Sequence, residues 1–198
     1  ILLPYSLRRH ATFPRIGEMK RRIFLALPVS PKIRESLTHY IGSISEPNYK
    51  WVNPQNYHVT ITFFGEQEES VIPKIVPLLH KTILALPPIE LTFNRIASAP
   101  PEKIPTMLWA QYHSQQPFSE LVTQVEETTA QIMTYPDKRE GQTPIPHITL
   151  ARFKHLSSSL IPQISLDPLK STSCVLYESE KTESGHTYTI LEEFSFAL

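Results

Sequence analysis

His58-Val59-Thr60-Ile61-Thr62-Phe63-Phe64 returns 89 positions later as His147-Ile148-Thr149-Leu150-Ala151-Arg152-Phe153. Each copy opens by alternating a polar residue with an apolar one, the period-2 pattern of a half-buried strand whose successive side chains point to opposite faces. His and Thr at i and i+2 therefore share a face. Two such strands side by side bring two imidazoles and two hydroxyls to one surface, with enough donors and acceptors to hold a tetrahedral anion. Strict alternation turns Arg152, five residues after His147, to the opposite face.

Outward from the motifs, strands and helices interleave in two corresponding halves. A buried strand covers Met19 to Pro28. Ser30-Pro31 opens a helix with apolar positions Ile33, Leu37, Tyr40, Ile41 and Ile44, so that it ends near residue 44. Trp51-Val52 leads through Asn53 to Asn56 into the first histidine strand, which Gly65 closes. The segment 69–86 is helical in content, but Pro77 deletes a backbone hydrogen bond, so the helix starts near residue 75 or kinks there. A single strand is expected over Ile89 to Ala97, another over Met107 to Tyr112, and a helix built on Phe118, Leu121, Val122, Val125 and Ile132 that ends near Tyr135-Pro136. A polar loop, 137–146, drops into the second histidine strand. A short helix over Ser159 to Ile164 and strands at about 172–179 and 186–196, joined by a turn at Glu183-Ser184-Gly185, complete the chain. A repeat near 90 residues exceeds the ~20–50 of a solenoid unit, which points to a duplicated lobe with the site between the copies.

Composition bounds the function. The 198 residues hold 19 basic and 19 acidic side chains, so no extended basic surface for coating long duplexes is available and the expected ligand is small or terminal. Cys174 has no partner and reads as an inert buried strand thiol. With no disulfide framework and no apolar run approaching the ~20 residues of a span, a reducing cytoplasm and no membrane association are expected. Residues 1–18 have no periodic apolar face and read as a leader outside the fold, leaving 19–198 as one domain. The functional alternative is an RNA-binding arm, since Arg8, Arg9, Arg15, Lys20, Arg21 and Arg22 are all basic.

Two histidines on one anion suit hydrolysis of a phosphodiester, which needs a base for the attacking water and an acid for the departing oxygen. Imidazole can serve as either near neutral pH. The threonine hydroxyls would hold the non-bridging oxygens. A lone His-x-Thr is more often structural; a second copy in a matching context reverses that. Zinc is disfavoured because neither motif has a nearby Cys or HExxH spacing. His39, His80, His113 and His155 lack the paired Thr and read as surface or packing residues; His10 lies in the leader and His186 opens a strand.

The paired motifs, the approach Trp51-Val52-x-Pro54-x-Asn56-x-His58, the start Met19 to Pro28 and the tail Val175-Leu176-Tyr177-Glu178-Ser179 resemble the RNA 2′,3′-cyclic phosphodiesterases of the two-histidine phosphoesterase superfamily, first named 2′-5′ RNA ligases. The resemblance covers about residues 19–198. It implies an α+β, bilobal fold: two pseudo-symmetric lobes of antiparallel sheet, helices outside, and a central groove. It further implies metal-independent opening of RNA 2′,3′-cyclic phosphate ends to 2′-phosphates, with His58 as proton donor, His147 as proton acceptor, and Thr60 and Thr149 as phosphate holders. Arg152 is placed near the substrate by the resemblance, against the periodicity. No cofactor, no metal and no obligatory protein partner are expected, and the chain is expected to be a monomer. The alternatives are a catalytically idle RNA-end-binding module and 2′-5′ RNA ligase activity. Pro73, Pro77 and the leader depart from the family pattern.

Overall fold

The computed structural model describes residues 19–197 except 102, 134, 136–142, 156–160 and 184. The leader and most of the loop before His147 lie outside the described residues. In chain order the elements are β1 (Lys20–Pro28), α1 (Pro31–Gly42), β2 (Lys50–Trp51), β3 (His58–Glu68), α2 (Ile72–Leu84), β4 (Ile89–Leu91), β5 (Phe93–Ala99), β6 (Met107–Tyr112), α3 (Gln116–Thr129), β7 (His147–Arg152), β8 (Leu169–Ser171), β9 (Ser173–Thr182) and β10 (Gly185–Ser195).

Two four-stranded antiparallel sheets each hold one histidine strand. Sheet A has the order β10-β9-β1-β3 and sheet B the order β2-β7-β6-β5, with β4 and β8 as a separate pair. The pseudo-symmetry therefore holds, with β1 beside β3 matched by β6 beside β7. The lobes are nevertheless not the two halves of the chain. The C-terminal β9–β10 hairpin returns to β1, and β2, from the N-terminal half, crosses to pair with β7.

Alternation determines the core. In β1, Ile23, Leu25 and Leu27 are fully buried and join Val59 and Ile61 of β3 and Ile148 and Leu150 of β7 in one apolar cluster. Each side chain so buried is worth about 1.5–3 kcal/mol relative to exposure. Cys174 lies in the same cluster as an inert packing group, and burial pushes its thiol pKa up. Helices α2 and α3 pack on each other, α2 also on β10 and α3 on β3.

Several boundaries differ from the sequence reading, each for a local reason. Ser30 Oγ accepts the Ile33 amide at 3.3 Å, as expected of a cap, but α1 ends at Gly42, where the Ser43 hydroxyl and amide take up the Tyr40 carbonyl. Helix α2 begins at Ile72, not near 75: Pro73 fills the first turn, where no donor is needed, and Pro77 is tolerated inside at the loss of one bond. Helix α3 stops at Thr129, well short of Tyr135. The Thr129 hydroxyl bonds back to the Val125 carbonyl at 2.7 Å, and the Tyr135 hydroxyl closes on Thr129 and on the Glu126 carbonyl, ending the helix by side-chain capping. The strand expected over Ile89 to Ala97 is two strands in different sheets, broken at Thr92, whose carbonyl takes the His113 amide instead. Residues 161–164 are not helical; the start of that expected helix lies outside the described residues.

Gly65 does not close the first histidine strand, which runs on to Glu68. Phe63 faces Phe24 while Gly65 faces Ile23, so Phe64 is an extra residue, and Gly65 adopts φ 75° beside this bulge. Glycine is what allows the ladder to continue there.

Candidate active site

Both histidine strands carry a bulge at the same point of the motif. In β3, Thr60 pairs with Ala26 and Thr62 with Leu25, leaving Ile61 extra; in β7, Thr149 pairs with Trp109 and Ala151 with Leu108, leaving Leu150 extra. A bulge shifts the alternation by one, which the burial records: Ile61 and Thr62 are both buried, as are Leu150 and Ala151. Arg152 consequently emerges on the face of His147 and Thr149, close enough to His58 for its charge to act on that ring. The periodicity argument that sent Arg152 to the far side is wrong because it assumed an unbroken strand. The same shift brings Phe63 onto the face of His58 and Thr60.

The two imidazoles are held alike. His58 Nδ1–H donates to the carbonyl of Asn56 at 2.7 Å, and His147 Nδ1–H to that of Ile145 at 2.8 Å. Each acceptor lies two residues upstream, which assigns the proton to Nδ1 and leaves Nε2 as the working nitrogen. His58 Nε2 lies 3.1 Å from Thr60 Oγ1, as the shared face requires. Behind each ring is an aromatic from the neighbouring strand: Trp109 stacks on His147 with centroids 3.6 Å apart and planes at 15°, and Phe24 lies 4.8 Å from His58. Tyr188 meets His58 edge-on at 5.3 Å.

The histidine strands are tied to each other before any ligand enters. Lys50 and Trp51 pair with Arg152 and Ala151, and the Val52 amide donates to the Leu150 carbonyl at 2.8 Å. The approach to His58 is thus pinned to the strand of His147. On the other side, Asn56 Nδ2 donates to the His186 carbonyl at 2.7 Å, fixing the same approach to β10.

Burial lowers the His58 pKa from its ordinary value; the bond to the Asn56 carbonyl opposes this, and the Arg152 guanidinium adds to it. The empty site therefore favours a neutral His58 ring. A bound anion beside Arg152 and the ring would oppose the guanidinium's effect and favour the protonated form. Among the described residues no group of three or more His, Cys, Asp or Glu side chains converges. A surface depression of about 830 Å³, lined by Arg34, Glu35, His39 and Gln55 among others, lies between α1 and the 54–56 turn; neither motif lines it.

A profile of the 2′-5′ RNA ligase superfamily matches residues 28–174, which span both motifs. The chain belongs to that superfamily. Among curated relatives, a Methanothermobacter thermautotrophicus protein named RNA 2′,3′-cyclic phosphodiesterase is 23% identical over 89% of this chain and 99% of its own length. One of the same name from Thermotoga maritima is 24% identical over 88% and 95%. Among solved structures, TT0787 of Thermus thermophilus superposes with a TM-score of 0.77 at 24% identity, covering 88% of this chain and 97% of its own. Escherichia coli LigT complexed with 3′-AMP gives 0.76 at 21%, covering 91% and 100%. The α+β fold of two antiparallel lobes is common to them. No helix among the described residues is long and apolar enough to cross a membrane.

Phe24, Trp109, Asn56 and Tyr188 were not singled out as site residues by sequence reasoning. Trp109 and Phe24 owe their roles to register against the histidine strands, and Tyr188 to the C-terminal hairpin folding back onto β1. No local motif encodes either pairing.

Proposed function

We propose that the chain hydrolyses RNA 2′,3′-cyclic phosphate ends to 2′-phosphates without a metal ion. The observation that carries this reading is the matched pair of imidazoles, each with Nδ1–H bound to the carbonyl two residues upstream, and with His58 Nε2 beside Thr60 Oγ1. In the reaction, His147 Nε2 takes a proton from water as its oxygen bonds to phosphorus. The bond from phosphorus to the 3′-oxygen breaks, and His58 Nε2–H delivers its proton to that oxygen. Phosphorus keeps the 2′-oxygen; after product leaves, His147 loses a proton to solvent and His58 regains one. Thr60, Thr149 and Arg152 hold the non-bridging oxygens and the charge they gain. Protonation of His58 beside a bound anion suits it to the donor role, since the ring must hold a proton when the 3′-oxygen departs. An RNA 2′,3′-cyclic phosphodiester is the substrate in the names of the curated relatives, and a structural neighbour has been solved with 3′-AMP, which supports a nucleotide ligand. Ligation would use a ribose 5′-hydroxyl in place of water on the same two histidines, and the superfamily's description keeps that as the second reading.

The test is incubation with a nucleoside and an oligonucleotide 2′,3′-cyclic phosphate, with the product isomers identified. A 2′-phosphate is expected. A 3′-phosphate would overturn the choice of leaving oxygen, and no turnover would leave an RNA-end-binding module.

A further inference from the structure

The in-line geometry makes the two sheets unequal. The leaving 3′-oxygen belongs to the ribose, and the group that protonates it, His58, lies on sheet A; the attacking water lies with His147 on sheet B. The nucleoside, and the strand running 5′ from it, must therefore extend over sheet A. This step rests on the roles given above.

Register shows what that face offers. In β1, Arg22 and Phe24 alternate with the buried Ile23 and Leu25. Tyr177 pairs with Phe24, which puts Tyr177, Ser179 and Lys181 of β9 on the same face; Tyr188 pairs with Ser179 and His186 with Lys181. The sheet curls enough for Tyr188 on the outer strand to reach Phe24 at 5.0 Å and His58 at 5.3 Å. Next to these lie His186, 6.4 Å from Tyr188 with ring planes 31° apart, and Phe63, with the Arg22 guanidinium 4.8 Å above its ring. Tyr188 and His186 are half-buried and Arg22 and Lys181 exposed.

Cations gather around His186 on this face, although Glu66 and Glu68 share it across from Arg22 and Lys20. Arg22, Arg152 and Lys181 all act on His186, lowering its pKa after the effect of burial, and no carboxylate is among the groups acting on it. Glu66 is the cross-strand neighbour of Arg22, yet Arg22 stacks on Phe63 and has no ion pair with Glu66 within 4.0 Å. The corresponding face of sheet B is different. Across from Gln111, Trp109 and Met107 it carries Arg95, Ala97 and Ala99, so it too has a cation, but its Trp109 ring is stacked on His147 and the alanines offer a base no other ring.

We propose that the groove face of sheet A is a platform for single-stranded RNA 5′ of the reacting end. Tyr188 and His186 offer ring faces to a base, and Arg22 and Lys181 meet the first internal phosphate. The preferred substrate is then an oligonucleotide rather than a free nucleotide. Stacking on aromatic rings beside a cationic track is how single strands are held without sequence readout. Because the face is three strands wide beyond β3, about 14 Å at ~4.8 Å per strand, it accommodates one or two further nucleotides and not a long tract.

The experiment compares a nucleoside 2′,3′-cyclic phosphate with a dinucleotide and a trinucleotide ending in the same group. Arg22→Gln, Lys181→Gln and Tyr188→Leu are assayed beside the wild type, with Lys170→Gln, on the remote β8, as control. Wild type should favour the dinucleotide in kcat/KM by about fivefold or more, with little further gain for the trinucleotide. Arg22→Gln and Lys181→Gln should erase most of that preference through KM, keep their kcat on the nucleoside substrate, and together reduce the dependence of log kcat/KM on log salt for the dinucleotide by about 0.7. The nucleoside kcat also reports that the Arg22 and Lys181 variants are folded; for Tyr188→Leu, which touches His58, the expected result is a loss of the dinucleotide preference, with folding read from the melting temperature. Equal handling of nucleoside and dinucleotide by the wild type, or equal losses on both in the Arg22 and Lys181 variants, would overturn the platform. Titration with a dinucleotide ending in a 2′-phosphate, against the nucleoside 2′-phosphate, gives the same comparison without turnover. If neither cyclic substrate reacts but the binding preference and its loss persist, the proposed reaction fails and the platform stands.

Discussion

Removing the Arg152 charge tests the shifted strand register and the chemistry together. If the guanidinium holds a phosphate oxygen, Arg152→Gln loses a hydrogen bond to a charged group, worth about 1.5–3 kcal/mol, which corresponds to a roughly 10- to 150-fold fall in kcat/KM. Arg152→Lys keeps the charge but not the two-pronged donor, so it should fall between glutamine and wild type. The same substitution has a second readout. Arg152 is one of the influences that lower the His58 pKa, so its removal must raise that pKa. His58 acts protonated, and its ionisation contributes to the limb on which kcat/KM declines as pH rises; that limb should move to higher pH in Arg152→Gln and stay in place in Arg152→Lys. The assay is kcat/KM for a nucleoside 2′,3′-cyclic phosphate across pH. A loss under about twofold with an unmoved limb would mean that the guanidinium does not reach the bound phosphate.

Activity should survive chelation, because acid, base and anion holders are all side chains; loss in EDTA with recovery on adding zinc or manganese would refute the metal-free reaction. His58→Ala and His147→Ala should each cost on the order of 10²-fold or more, and a nitrophenyl phosphodiester, whose leaving group needs no proton, should rescue His58→Ala far better than His147→Ala. Equal rescue would reverse or dissolve the assigned roles. Thr60→Val and Thr149→Val should cost less than either histidine, about 2- to 12-fold if each removes a neutral hydrogen bond of about 0.5–1.5 kcal/mol. For stability, the His58 pKa is depressed on folding, so the unfolded chain takes up the proton first, below about pH 6.5; stability is lost from there down to the folded-state pKa. Melting temperature should therefore decline between about pH 7 and 5 less steeply in His58→Gln than in wild type, and inorganic phosphate should flatten the wild-type decline; parallel declines would mean His58 is not titrating in the folded site.

Local sequence made the first half of each motif readable: His-x-Thr alternates in both strands, and the structure keeps each His and Thr on one face beside a buried partner. Strand β6 was readable as a short apolar run, and the apolar stripes of α1 and α3 because their periods run unbroken. What was not readable depends on pairing between distant segments. The crossing of β2 to β7 and the return of β9 and β10 to β1 join residues far apart in the chain, and no spacing within either segment encodes the partner.

The bulges are the most consequential of these unread features. A residue without a cross-strand partner leaves no mark on the sequence, since Leu150 and Ile61 are as apolar as the alternation demands; only the doubled burial that follows reveals it. Yet the bulge is common to both lobes, so it belongs to the repeated backbone, and the two lobes use the position it exposes differently. In sheet B it delivers a guanidinium to the shared face, where an anion gaining charge needs a cation. In sheet A it delivers Phe63, an apolar ring that also serves as the seat for Arg22. On the proposed mechanism, one backbone device, repeated, would separate the work: charge stabilisation from the strand of the base, and a surface for the nucleoside from the strand of the acid.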